Sequence, residues 1–116
     1  MTAAETYTFE NPANARALKF ANDFQAAQKA WPDPVAARGY TGMELLALAM
    51  RAANSTKADA VVNALEKLDH KDSLLGRLKF RECGHVAETP MLIVEGSESP
   101  KYKIYPRYVQ HVEKDD

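Results

Sequence analysis

Apolar side chains recur along this chain first at a period of two, then at 3.6, then at two again. The stretch ETYTFE, Glu5 to Glu10, alternates polar and apolar with Tyr7 and Phe9 on one face, and it predicts a short strand. In ENPANA, Asn11 is a good N-cap and Pro12 suits the first helical position, where its missing N–H is no loss. The predicted helix carries Ala13, Ala17, Phe20, Phe24, Ala27 and Trp31 in one stripe, opposite Arg16, Lys19, Asn22, Asp23 and Lys29. WPDP stops it, because Pro32 disfavours helical geometry at Trp31.

Asp33 then caps a second helix with Pro34 at its first position. This helix has two apolar stripes. Ala36, Tyr40, Met43, Ala47 and Met50 form one; Leu45, Leu48, Ala49 and Ala52 form the other. Its only charges are Arg38, Glu44 and Arg51. The pattern predicts burial on two sides, between layers of a larger structure. Thr56 and Asp59 suggest a capping box for a third helix, whose stripe is Ala58, Val61, Val62, Leu65 and Leu68 and which is expected to end near Asp69. HKDSLLG reads as a loop. From Gly76 the period returns to two, with Leu78 and Phe80 between Arg77, Lys79 and Arg81. CGH reads as a turn and TPMLIVEG as a strand with Pro90 near its start. GSESP reads as a turn and KYKIYPRYV as a last strand with Tyr102, Ile104 and Tyr108 as its apolar positions. The order is one strand, three helices and about three strands.

Taken together, NPANARALKFANDF, PDPVAARGYTGMELLALAMRAANSTKADAVVNALEKL and SLLGRLKFRECGH resemble the C-terminal third of a leucine/isoleucine/valine-type solute-binding protein. Such proteins are the receptors of ABC transporters for branched-chain amino acids. The resemblance runs roughly from Tyr7 to Val94 and lies in order and spacing, not in one motif. It implies an α/β fold, the C-terminal segment of a type I periplasmic-binding-protein fold. Residues 1–75 would be the helical part of one lobe, and residues 76–116 would be strands crossing to, or packing on, a second lobe, with a hinge near Leu75–Gly76. The N-terminal two-thirds of that fold, which supply most ligand contacts, would lie outside this chain. Val35 matches a position where the family points an apolar or aromatic side chain into the ligand pocket, and Tyr40 lies on the same helix near the cleft. The resemblance implies a small-molecule ligand (an amino acid, or an aromatic or other small carboxylate), a permease as partner, a periplasmic parent protein, no cofactor and no enzymatic activity.

Composition narrows the alternatives. Of 116 residues, 15 are Lys or Arg and 16 are Asp or Glu, so the net charge is −1 and there is no electrostatic case for nucleic acid. Lys101, Lys103 and Arg107 beside Tyr102 and Tyr105 fit an exposed strand edge better than a single-strand platform. Cys83, the one cysteine, excludes an intrachain disulfide, and with His85 it falls short of the ligand count of a metal site. His70 and His111 read as solvated loop and tail positions, and Glu113, Lys114, Asp115 and Asp116 as a solvated tail. MTAAETYTFE has neither the basic region nor the apolar run of a signal peptide. Without the missing sheet, Phe20, Phe24 and Trp31 on the first helix and Met43, Leu46 and Met50 on the second would stand bare. A homodimer of the isolated chain is therefore expected. The competing expectation is a self-standing α+β interaction domain that dimerises through its helices.

Overall fold

The computed structural model describes residues 2–9, 14–81, 84–99 and 103–112. Among these the order is β1 (Thr2–Glu5), α1 (Ala15–Gln28), α2 (Pro34–Ala53), α3 (Ala58–Glu66), β2 (Asp69–Ser73), β3 (Gly76–Phe80), β4 (Ala87–Glu88), β5 (Met91–Ser99) and β6 (Lys103–Val112). Two antiparallel three-stranded sheets result, β1-β5-β6 and β2-β3-β4. The expected positions Asn11, Pro12, Ala13, Cys83, Lys101, Tyr102 and the acidic tail from Glu113 lie outside the described residues.

The first strand lies earlier than the alternation of Tyr7 and Phe9 predicts. The chain leaves the sheet after Glu5, and those two aromatics serve the core instead. Tyr7 is fully buried and meets Phe20 edge-on, with centroids 6.2 Å apart. Phe9 stacks on Trp31 at 5.3 Å. Asn14 caps α1, its Oδ1 accepting from the amides of Arg16 and Ala17. The helix stops at Gln28, because Lys29 turns left-handed at φ 57°. Trp31 therefore lies beyond it.

In α2 the expected start holds: Asp33 Oδ1 accepts from the Ala36 amide at 2.8 Å and Pro34 opens the helix. The expected two-sided burial does not hold. Ala37, Thr41, Leu45 and Ala49 are buried on one face, whereas Met43 is 68% exposed. The Cα extents, 48 × 34 × 20 Å, explain it. A thickness of 20 Å admits two layers of structure when one helix is about 10 Å across, so α2 has cover on one side. Nor does Thr56 cap α3. Lys57 holds that position with no side-chain bond, and Ser55 Oγ accepts its amide.

The core joins Tyr7, Ala17, Ala37, Leu45, Leu75 and Leu78, with Phe9, Phe20, Leu65, Leu68 and Phe80 packed against it. HKDSLLG is not a loop: it supplies β2 and a tight turn into β3. Gly76 sits in that turn at φ +90°, and a Cβ there would come within 3.0 Å of Pro90 Cγ. Ser73 Oγ braces the turn by accepting the Leu75 amide at 3.1 Å and donating to the Gly76 carbonyl at 2.5 Å. Likewise Gly96 to Ser99 form no turn, because β5 runs on through them, with Gly96 opposite Pro106 on the edge strand β6.

Glu44 ties the layers together. Its carboxylate accepts from both terminal nitrogens of Arg16 on α1, one of them at 3.0 Å, and from His70 Nε2 on β2 at 2.5 Å. Arg16 also donates to the Asp72 carbonyl at 2.6 Å, and Asn14 Nδ2 to the Ser73 carbonyl at 2.9 Å. Burial by itself would push the Glu44 carboxyl up. The hydrogen bonds from Arg16 and His70 and the charges beside it outweigh that and hold it below its ordinary value of 4.5.

Three outcomes follow from this packing. The Thr41 hydroxyl is buried without a partner, so Thr41→Val should stabilise the chain by about 1 kcal/mol, raising the thermal midpoint by roughly 4 °C. Gly76→Ala should cost on the order of 1–3 kcal/mol, since it meets both a left-handed backbone and the Pro90 ring. A group whose folded pKa is depressed contributes stability above its ordinary pKa, and that stability is lost as pH falls through the folded value. Urea melts from pH 7 down to below pH 4.5 should therefore show a loss of stability that Glu44→Gln removes, the variant being weaker at pH 7 by about 2 kcal/mol.

Candidate ligand-binding site

The residues expected at the cleft stand at the start of α2. Val35 is its second residue and is 67% exposed. It is held there because the Asp33 cap and Pro34 fix the first turn, and the inward face of that turn is taken by Ala37. Tyr40 is five residues on, which rotates it by roughly 140° around the helix from Val35. The two therefore face different directions. The Tyr40 ring lies 5.0 Å from that of Phe20, tilted by 47°. Arg16 beside it stays firmly charged, chiefly through its bond to Glu44. Tyr40 is thus tied to the α1–α2 seam.

A residue that the sequence reading named only as one of the three charges of α2 shares the side of Val35. Arg38 is three positions on, one turn along the helix, and is exposed. Its one described bond is a long one, Nη1 to Thr6 Oγ1 at 3.4 Å. An apolar side chain and a guanidinium side by side offer two of the groups that an apolar carboxylate needs. The signal was available in the i, i+3 spacing of Val35 and Arg38, but a single arginine carries no weight without the burial of its neighbours.

Most of the remaining ionic chemistry is structural. Arg77 holds Asp69 in a two-pronged pair at 2.9 and 2.8 Å across β2 and β3. Arg81 holds Glu88 at 2.8 Å across the turn that contains Gly84 and His85. His85 Nε2 meets Glu66 at 3.0 Å in the open, and Lys19 meets Asp23 at 2.6 Å. His70, expected in a solvated loop, is half-buried on β2 against Glu44. Among the described residues no group of three His, Cys, Asp or Glu side chains is placed to hold a metal ion. Among them, too, no helix is long and apolar enough to cross a membrane.

Curated protein sequences include no match. Solved structures match closely in fold at low identity. The ABC transporter substrate-binding protein from Sphaerobacter thermophilus superposes with a TM-score of 0.85 at 19% identity, over 97% of this chain and 31% of its own. A solute-binding protein from Rhodopseudomonas palustris BisB5, in complex with 3,4-dihydroxybenzoic acid, gives 0.86 at 16% identity, over 97% and 31%. The leucine-, isoleucine-, valine-, threonine- and alanine-binding protein from Brucella ovis, in its closed conformation, gives 0.80 at 16% identity, over 97% and 30%. The chain thus spans about 31% of the length of the structures it matches. The fold is the one the sequence implies, a segment of a type I periplasmic-binding-protein fold. The family model described as periplasmic binding protein matches residues 1–101, and the chain belongs to that family.

Proposed function

We propose that this chain forms one wall of a periplasmic solute receptor that captures a small carboxylate and hands it to an ABC-transporter permease without chemical change. The observation that carries the reading is the family match over residues 1–101, together with an exposed apolar residue at the start of α2. In α/β folds, ligands settle against such helix ends. Val35 shapes the pocket for the ligand's apolar part. Arg38, on the same side, meets the carboxylate. Tyr40 borders the site from the seam with α1. The ligand class is an amino acid with an apolar side chain or an aromatic acid, because a valine beside a guanidinium suits both. The groups that hold an α-amino group come from the part of the fold that this segment does not span. The reaction is binding alone, with no cofactor.

Calorimetric titration of leucine, phenylalanine and benzoate tests this in two samples. One is the isolated chain. The other is a chimera in which this chain replaces the equivalent third of the Sphaerobacter thermophilus protein. The isolated chain should give no heat, and the chimera should give saturable heat that Val35→Glu abolishes. A dissociation constant below ~10 µM for the isolated chain, about −7 kcal/mol, refutes the one-wall reading. Absence of heat from a folded chimera refutes the receptor reading.

A further inference from the structure

We infer that Thr6 is a specificity-determining residue of the proposed site, and that its hydroxyl and the Arg38 guanidinium grip the ligand's carboxylate together. The inference rests on the receptor reading and adds to it a second donor, carried by a different element of the chain. Among the described arginine side chains, Arg38 is the one left without an offsetting charge. Arg16, Arg77 and Arg81 hold the carboxylates of Glu44, Asp69 and Glu88. Arg51 stands in the last turn of α2, where the helix dipole favours a cation. Arg38 lies in the second turn, nearer the positive end of the helix, and the first turn carries no acid. Among the described residues no acidic side chain pairs with it.

What Arg38 has instead is a hydroxyl. Its Nη1 donates to Thr6 Oγ1 at 3.4 Å, between residues 32 apart in the chain. A hydroxyl oxygen that accepts from a guanidinium keeps its own O–H to donate. A carboxylate docked on the fork of Arg38 therefore meets two kinds of donor, and it has two oxygens to receive them. The backbone of Thr6 is held on both sides. Glu5 before it pairs with Leu92 in the β1–β5 ladder, and Tyr7 and Thr8 after it are buried. Its side chain is half-buried, so the hydroxyl is fixed in place without being sealed off. Val35, one turn from Arg38 along the same side of α2, supplies the apolar wall. The pair also decides what is turned away. A guanidinium only donates, so an uncharged amide of the same shape gives up one acceptor oxygen and brings an N–H2 that finds no acceptor on Arg38. The competing partner for Arg38 is an acidic side chain from the part of the fold that this segment does not span.

The chimera with the Sphaerobacter thermophilus protein, titrated with leucine, phenylalanine and benzoate and with the amide of each, tests the pair. Thr6→Val keeps the shape of the side chain and removes the hydroxyl. It should weaken binding of the acids roughly tenfold while the thermal midpoint stays within ~3 °C. Thr6→Ser, which keeps the O–H, should hold affinity to within about threefold of the parent. The amides should bind the parent roughly tenfold more weakly than the acids, and Thr6→Val should leave that weak binding unchanged. Unchanged affinity for the acids in Thr6→Val overturns the inference, assigns Arg38 to an acidic side chain of the remaining fold and leaves the receptor reading standing. An equal loss for acids and amides also overturns it, because a merely structural Thr6 acts on both. A folded chimera that binds none of the acids removes the receptor reading. In that case, or if the chimera does not fold, NMR spectra of the isolated chain decide for the pair. Sodium benzoate at tens of millimolar should move the Arg38 side-chain N–H and the Thr6 methyl along one curve. Sodium chloride should not reproduce the curve, and Thr6→Val should weaken its Arg38 part. Resonances that stay still, or an Arg38 curve that Thr6→Val leaves unaltered, overturn the inference.

Discussion

The carboxylate of Glu44 carries the weight of this small structure. It collects a guanidinium from the first turn of α1 and an imidazole from β2, and the same guanidinium continues to the Asp72 carbonyl. Three elements that are far apart in sequence therefore meet at one charge. The Glu44 side chain is 15% exposed, which strengthens its interactions and makes their loss costly, since a half-buried carboxylate without donors is worse than none. Apolar packing can fix how far α1 stands from α2 but leaves sliding between them cheap. A two-pronged bond from Arg16 does not permit sliding, so it sets the register that the core then fills.

Much of this fold was legible in the chain. Helix periodicity located α1, α2 and α3, and the Asp33–Pro34 pair marked the start of α2. Period-two alternation located β3 and β6, and the stretch TPMLIVEG located β5. The failures have identifiable causes. β2 is DHKDS, with no apolar alternation to announce it. It is a strand because Asp69 pairs with Arg77, His70 with Glu44, and the Asp72 and Ser73 carbonyls with Arg16 and Asn14. Apart from Asp69–Arg77 within the hairpin, these are long-range polar contacts, and no local pattern encodes them. Tyr7 and Phe9 show the converse error, in which alternation reflected two aromatics dropping into the core beside Phe20 and Trp31. β4 has two residues, too few for any periodicity.

Val35 and Tyr40 both fall on α2, the helix on which the sequence set them, but a sequence cannot say which side of a helix stays open when both sides are apolar. That question is settled by layer count. In a slab 20 Å thick, α2 keeps one dry face, and its exposed residues sort into the start of the helix with Val35 and Arg38, and a central strip around Met43. Tyr40 belongs to neither, because its ring packs on Phe20 at the seam with α1.

The pairing of β1 with β5 also bears on the order in which the chain folds. Thr2 lies opposite Glu95 and Glu5 opposite Leu92, so the N-terminal strand pairs with a partner near the far end of the chain. The β5–β6 ladder, by contrast, begins with Ser99 opposite Lys103 and can zip from its own sequence neighbours. Closing a loop of roughly 90 residues costs about 4 kcal/mol in chain entropy before any contact is made. Four residues of strand cannot meet that cost until the helices and the β2–β3 hairpin have already shortened the path. β1 therefore joins last, and a nascent chain spends its folding time with the inner edge of β5 unpaired. An open edge of that kind is a template on which another chain can pair.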